Sequence, residues 1–425
     1  MEGFLQVEDG PRAVSQTIEH WLGLFYVQQA STGVAAPVLD PQPGERILDM
    51  CSAPGGKTTH AAELMEDTGC LVASEISENR IRGLLGNVYR LGHPNILVVA
   101  GDGRELPEQA RFDRVLVDAP CSGEGTLRRR GGRPPHQSKS FLGYVTGAQR
   151  GLLAKAIRLT TPGGTILYVT CTFAPEENEA VVDHVLRTEP VDLVPIDLPV
   201  PSAPGLTSFG GQAFDPRLEG AARIYPHHFD SGGLFLAKLR RLDGDPDGGG
   251  AGAQPDAWGS VPRLFPGEDD ADVDGLIDVA TSDLRDRFGV AASTLAEVDW
   301  VYRGRRLWLH SLSEWPLDAW NEGAWRPISV GFRAVEFDSR GRPRPTNDLL
   351  RWLGAALESR TVDLDDGQLR ALIGREALPL AEELRGPVAL RRGVDVLGRG
   401  AATQDGLKSE IPKARAADLG RVIAG

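Results

Sequence analysis

The chain has little of what several protein classes need. Only four of its 425 residues are cysteine, Cys51, Cys70, Cys121 and Cys171. None stands in a CxxC pair or at zinc-ligand spacing, so a disulfide scaffold is excluded and no metal is expected. Positive charge is scarce. The 46 Lys and Arg face 59 Asp and Glu, a formal net charge of -13, which is the wrong overall sign for a nucleic-acid partner. There is no signal-peptide pattern and no apolar run of membrane-spanning length. The expectation is a soluble, cytoplasmic protein with reduced thiols, no membrane partner and a monomeric state. Two nucleotide signatures are also missing. G-x-G-x-x-G does not occur, and the one candidate phosphate loop has Cys51 where its first glycine should stand and Pro54 in mid-loop. An ATPase of that type, with Val115-Leu116-Val117-Asp118 as its acidic strand, is the rival reading that these gaps disfavour.

What is present is uneven. Between Asp243 and Asp299, 14 Asp and Glu stand against three Arg, whereas Arg104 to Lys155 and Tyr302 to Arg375 are rich in arginine. A basic working face on an acidic body is therefore compatible with the total. Many Asp, few Lys and an aromatic content of 6% would suit a high-salt cytoplasm. Such a chain should not melt lower in molar KCl.

The organising stretch is Leu48-Asp49-Met50-Cys51-Ser52-Ala53-Pro54-Gly55-Gly56-Lys57-Thr58. A short apolar run from Arg46 reads as a buried strand, a glycine turn follows, and Thr58 to Met65 reads as a helix. Strand, glycine turn and helix present backbone N–H groups and a positive helix end to a nucleotide-like ligand. Ahead of it, Ala13 to Gln29 has helical spacing. Behind it, strands ending at Glu75, Asp102, Asp118 and Cys171 alternate with helices over Glu78–Leu91 and Gly147–Leu159, and with one starting at Pro175, where a missing N–H costs nothing. A later strand runs from Gly233 to Leu239. Alternation at this spacing argues for an α/β fold with a doubly wound, mainly parallel sheet, whose ligands bind outside the carboxyl ends of its strands. Four polar residues at strand ends around one glycine turn point to a site rather than to isolated helix caps. Glu75 is placed to accept two ribose hydroxyls and Asp102 to reach an adenine edge, so S-adenosylmethionine fits better than NAD. The expected organisation is a lead-in helix (1–45), an S-adenosylmethionine-binding domain (46–242), a flexible acidic linker (243–268), a middle α+β module (269–375) and a C-terminal module (376–425).

Cys121, in Asp118-Ala119-Pro120-Cys121-Ser122-Gly123, and Cys171, in Thr170-Cys171-Thr172, lie at the ends of two strands; if these are neighbours, the thiols share one pocket. A thiol must be depressed from a pKa of about 8.5 to attack at neutral pH. The start of a helix near Pro175 would help Cys171, and Glu176 and Glu177 would partly oppose it. Cys70, inside a strand, reads as core.

These three motifs, in this order, resemble the NOL/NOP/Sun family of RNA cytosine-5 methyltransferases. The likeness extends to Tyr26-Val27-Gln28-Gln29, to Arg223-Ile224-Tyr225-Pro226-His227 and to Gly233-Leu234-Phe235-Leu236-Ala237. More weakly, Gly331-Phe332, Thr346-Asn347-Asp348 and the stretch from Gly398 to Lys413 are similar to the appended region of the RsmF-like branch, with a PUA-like RNA-binding module at its end. The resemblance implies a class I (Rossmann-like) methyltransferase fold. It implies that Cys51, Ser52, Ala53, Pro54, Gly55, Gly56 and Lys57 line the methionine and ribose part of S-adenosylmethionine, with Glu75 on the ribose, Asp102 on the adenine and Asp118 between cofactor and base. Cys171 would be the nucleophile and Cys121 the cysteine that assists product release. The substrate would be an RNA, ribosomal rather than transfer RNA, gripped in part by Arg128, Arg129, Arg130 and Arg133 and by Lys408; the tryptophans from Trp300 to Trp325 read as core before they read as base-stacking platforms. Ser52 departs from the family, which usually has alanine there. An inactive RNA-binding assembly factor is the third reading, disfavoured because every catalytic-type residue is present.

Overall fold

A computed structural model describes Leu5, Val7 and residues 12–130, 138–242, 257–268, 272–316, 326–380 and 384–424. Short helices α1 (Ile18–Leu22), α2 (Ala30–Gly33) and α3 (Ala35–Leu39) lead into β1 (Arg46–Asp49), α4 (Gly56–Leu64), β2 (Cys70–Glu75), α5 (Glu78–Leu91), β3 (Ile96–Ala100), β4 (Phe112–Asp118), α6 (Lys139–Leu159), β5 (Thr160–Thr170) and α7 (Glu179–Thr188). Then come β6 (Val191–Val194), β7 (Ala203–Pro204), the small hairpin β8 (Ser208–Phe209) and β9 (Gln212–Ala213), β10 (Ala222–Ile224), α8 (Pro226–Phe229) and β11 (Leu234–Arg241).

The strands β3-β2-β1-β4-β5 pair in parallel, and β11 closes the series antiparallel to β5. Their side chains alternate between two cores. Leu48, Val72, Val99, Val115 and Tyr168 point to one side, and Ile47, Leu71, Val98, Leu116 and Leu167 to the other. Both faces are covered, which is why these strands read as continuous apolar runs. Cys70 is a fully buried member of the first core, as expected for a small apolar side chain. The chain order reverses between β1 and β4, and that switch point opens the crevice in which such sheets bind ligands. This is the Rossmann-like methyltransferase arrangement. No helix of the described residues is long and apolar enough to cross a membrane.

Three expectations need correction. The lead-in is not one helix from Ala13. α1 stops at Gly23, whose φ of 92° and whose contact with Arg90 O, 1.7 Å from where a Cβ would stand, admit only glycine. Trp21 then docks onto the C-terminal helix Lys413–Ala424, its Nε1 donating to Arg415 O at 3.1 Å. Second, the flexible linker does not extend to residue 268. Residues 243–256 lie outside the described residues, but Trp258 packs edge-on against Phe112 and donates to Arg111 O at 3.0 Å, and Phe265 is buried. Burying two large aromatics offsets the ordering cost that the Gly- and Asp-rich stretch alone could not. Third, the helix after Cys171 begins at Glu179, not at Pro175.

Beyond residue 272, Val273–Phe288 is helical, and Asp299–Arg303, Arg306–His310, Phe332–Phe337 and Pro343–Pro345 make one sheet. The strand Arg326–Val330 leaves that region and pairs antiparallel with β3, so it forms the edge of the main sheet. A last sheet of Thr361–Asp363, Gly386–Arg392, Asp395–Thr403 and Gly406–Ser409 carries the C-terminal helix. Trp300, Trp308 and Trp315 are buried, in line with the packing reading; Trp320 and Trp325 lie outside the described residues.

Candidate active site

The carboxyl end of β1 begins the site. Asp49 is buried, and burial pushes its carboxyl up to about 6 against the opposing hydrogen bond from Thr58. Its Oδ2 accepts from Thr58 Oγ1 at 2.7 Å and its Oδ1 from Cys51 N at 3.3 Å. Asp49 thus folds the loop 51–57 back over the end of its own strand. The loop is further pinned by Ser52 N to Ser74 O at 3.0 Å, Asn87 Nδ2 to Pro54 O at 2.8 Å and Arg80 Nη2 to Ala53 O at 2.6 Å. Gly55, at φ 105°, makes the turn into α4. Cys51 lies beneath this loop, and burial with the nearby Asp49 and Asp118 carboxylates drives its thiol far up, so it stays protonated.

Lys57 does not point into a phosphate cradle. Its Nζ meets Asp118 Oδ2 at 2.7 Å, with 11% and 29% of the two side chains exposed. Burial works against the charge on Lys57, but the Asp118 carboxylate more than offsets it and raises the ammonium.

At the end of β2, Glu75 is 1% exposed. Its Oε1 accepts from Ser77 N at 2.9 Å. Its Oε2 lies 3.0 Å from Arg80 Nη1 yet receives no well-directed hydrogen bond. A buried carboxylate oxygen short of donors suits a pair of ribose hydroxyls. Asp102 sits two residues past β3, not on it. It caps the turn Gly103–Glu105 by accepting from Arg104 N at 2.9 Å, and it holds the Arg104 guanidinium, which lowers its own carboxyl. The cap reading therefore holds for Asp102, and an adenine would have to share it with Arg104.

The two cysteine motifs come together because β4 and β5 are neighbours. Cys121 Sγ and Cys171 Sγ are 3.2 Å apart. The thiol of Cys121 donating to it lowers Cys171 against burial, and Lys57 adds to the effect; the same contact and burial raise Cys121. Cys171 is therefore the more acidic thiol of the pair. The helix expected to help it starts eight residues later, and its sulfur partner does that work instead.

Beneath the sulfurs lies a buried polar brace. Glu177 Oε2 accepts from Ser122 N at 2.9 Å and from Gln149 Nε2 at 3.0 Å, while Gln149 also donates to Pro120 O at 2.9 Å. Ser122 Oγ and Thr172 Oγ1 are 2.7 Å apart, joining the two motifs directly. Asn178 Nδ2 donates to Thr172 O at 3.0 Å, and Tyr168 Oη to Glu177 O at 2.7 Å. Glu177 and Asn178 turn inward, and these partners explain why the helix cannot begin at Pro175. Gly125 N donates to Cys171 O at 2.8 Å, and a Cβ on Gly125 would stand 2.5 Å from Gly233 O. Sequence reading missed Asp49, Gln149, Glu177 and Asn178. The run Pro175-Glu176-Glu177-Asn178 carried a signal, two acids beside an apolar strand end, but read as a helix's first turn whose charge would partly oppose Cys171.

The residues expected to grip RNA lie on two elements. Arg128, Arg129 and Arg130 close the 3-10 helix Glu124–Arg130, and Arg133 lies outside the described residues. Lys408 is on Gly406–Ser409, paired with Asp405 at 3.1 Å. No cluster of metal-ligating side chains occurs among the described residues.

Residues 36–240 match the family described as 16S rRNA methyltransferase RsmB/F. The chain is 32% identical over 407 residues to the ribosomal RNA small subunit methyltransferase F of Vibrio cholerae serotype O1 (strain M66-2), across 94% of this chain and 80% of that one. It is 37% identical over 243 residues to a 28S rRNA (cytosine-C(5))-methyltransferase of Mus musculus, where the match takes in 56% of this chain but only 30% of the relative's length. The crystal structure of a methyltransferase homologue from Pyrococcus horikoshii superposes with a TM-score of 0.50 at 36% identity, over 55% of this chain and 73% of that one. The near-complete match to the Vibrio protein extends past the sheet into the C-terminal modules, and with it the chain belongs to the RsmB/F family of rRNA methyltransferases.

Proposed function

We propose that this protein transfers a methyl group from S-adenosylmethionine to C5 of a cytosine in ribosomal RNA. The observation that carries the reading is the sulfur pair: two thiols 3.2 Å apart, beside the Lys57–Asp118 pair, at the mouth of the switch-point crevice. The loop 51–57 and Glu75 hold the cofactor in this reading, which the donor-short Glu75 Oε2 supports as a partner for its ribose. Bound there, S-adenosylmethionine supplies an electrophilic methyl group.

C5 of cytosine is a poor nucleophile. The Cys171 thiolate adds to C6, its electron pair forming the S–C6 bond, and C5 becomes enamine-like. Asp118 faces the N3/N4 edge, accepts from the N4 amine and passes a proton from the Lys57 ammonium to N3, which neutralises the negative charge that the addition pushes there. Once C5 is methylated, water takes the C5 proton, the C5–H electron pair re-forms the C5–C6 double bond, and the S–C6 pair leaves with the Cys171 sulfur. Cys121, within reach of that sulfur, assists the departure. The base must be unpaired or flipped out, because C6 is buried in a duplex. Arg128, Arg129, Arg130 and Lys408 remain candidates for RNA backbone contacts.

The test is bisulfite sequencing of total RNA from a deletion strain complemented with wild type or with Cys171→Ala. One ribosomal cytosine should lose its methyl in the deletion, regain it with wild type and stay unmethylated with the variant. Full restoration by Cys171→Ala would sink the assignment, and a lost site in transfer RNA would move the substrate.

A further inference from the structure

Next to the sulfur pair lies a groove of about 450 Å³, among whose walls are Glu124, Phe173, Glu176, Phe209, Arg223 and Tyr225. Its walls are chain neighbours of the two cysteine motifs. Phe173 is two residues past Cys171, and its N–H donates to Glu124 Oε2 at 3.1 Å. Its volume lies within the range of about 300–1,000 Å³ typical of small-ligand pockets.

The walls are aromatic. The Phe173 and Tyr225 rings lie 5.5 Å apart at 31°, and Tyr225 stacks at 10° on His227. Phe209, on the β8–β9 hairpin, lines the same groove and is 48% exposed. The charges are those of an acceptor, not of an anion site. Arg223 is 3% exposed and already engaged: Nε donates to Glu179 Oε1 at 2.6 Å, and Nη1 to Phe173 O at 3.0 Å and Tyr225 Oη at 3.3 Å. Two carboxylates, Glu124 and Glu176, line the same groove. Such a lining repels phosphate and accepts hydrogen bonds from amino groups.

We infer that this groove takes the unpaired RNA base adjacent to the target cytosine, stacked between Phe209 and the Phe173–Tyr225 platform, and favours a base with an exocyclic amine over uracil. The inference rests on the proposed methylation of RNA. It assigns sequence preference at one flanking position to residues outside the reacting pair, and leaves the backbone phosphates outside the groove.

The test uses full-length protein and an RNA oligonucleotide carrying the cytosine identified by bisulfite sequencing. The nucleotides immediately 5′ and 3′ of that cytosine are each made A, C, G, U or abasic. At one of the two positions the abasic change should lower kcat/KM about five- to hundredfold for wild type, the span of a stacked base, with U falling below A and C. Phe209→Ala should lose a similar factor on intact RNA and lose its sensitivity to the abasic change. A 2-aminopurine at that position should be quenched on binding wild type and not on binding Phe209→Ala, a readout that reduced folding alone would not imitate. Equal abasic penalties in both proteins at both positions would overturn the inference. Formation of a covalent RNA adduct by Cys121→Ala on the intact oligonucleotide separates the outcomes: with adduct present, only the groove assignment fails; with none, the proposed chemistry fails first.

Discussion

Replacing Cys121 by alanine should weaken Cys171 before it meets any RNA, slowing its bond to the base without preventing it, while release of the bound base slows further. The structure supplies the reason. Cys121 Sγ stands 3.2 Å from Cys171 Sγ, and its donated hydrogen bond is the largest influence lowering the Cys171 thiol. A hydrogen bond to a charged group contributes about 1.5–3 kcal/mol, or a factor of about ten to a hundred and fifty in the thiolate population. Lys57 remains in the variant, and burial still opposes the charge, so nothing replaces the lost donor. Iodoacetamide labelling, read by mass spectrometry of the Cys171 peptide from pH 5 to 10, measures that population. In wild type Cys171 should label fastest of the four cysteines at pH 7, while Cys51 and Cys70, both raised by burial, stay inert. In Cys121→Ala the Cys171 rate at pH 7 should fall at least about tenfold and its midpoint should move to higher pH. An unchanged profile would refute the idea that one cysteine activates the other.

Three further outcomes follow from the geometry. Glu177→Ala should destabilise by about 3 kcal/mol, because Ser122 N–H and Gln149 lose a buried acceptor; urea unfolding checks the loss, and kcat should fall more than KM rises, since the brace positions the sulfurs rather than the RNA. Gly125→Ala should abolish methylation while leaving most of the fold, because its Cβ would stand 2.5 Å from Gly233 O and 2.9 Å from Cys171 O; an active variant would show that the loop can move away freely. Acid should weaken the protein through His310, which burial lowers to about 4 and whose Nδ1 accepts from Leu312 N at 3.2 Å. The unfolded chain binds that proton first, so its stabilising contribution is whole above about pH 6.5 and is lost towards pH 4, by about 3 kcal/mol; Asp49, raised to about 6, works the other way over the same window, so the check is the difference between wild-type and His310→Gln stabilities from urea unfolding, which should shift against wild type by that amount as the pH falls.

Much of the site was legible because strand ends in a doubly wound sheet converge by topology alone. Glu75, Asp118 and Cys171 needed only the right strand boundaries, and the 3-2-1-4-5 order then set β4 beside β5 and the two sulfurs beside each other. What stayed hidden depends on partners distant in sequence. Glu177 looks like a solvated helix residue until Ser122 and Gln149 are placed around it. Asp102 looks like a ligand-facing acid until Arg104 folds back onto it. Arg326–Val330 reads as part of a separate module, yet it completes the edge of the main sheet by pairing with β3, a contact that no local pattern encodes. The stretch 257–268 has linker composition, but two aromatics within it find a core. Local chemistry marked where a ligand would sit; the brace that holds the reacting groups is a long-range product of the fold.

The central claim is that Cys171 forms a bond to the target base and that Cys121 helps to break it. Purified Cys121→Ala, incubated with S-adenosylmethionine and ribosomal RNA from the deletion strain, should run on a denaturing gel as a slow, ribonuclease-sensitive protein–RNA species. Cys121→Ala combined with Cys171→Ala should run as free protein. A single free band for Cys121→Ala, or an adduct that survives loss of Cys171, would contradict the account.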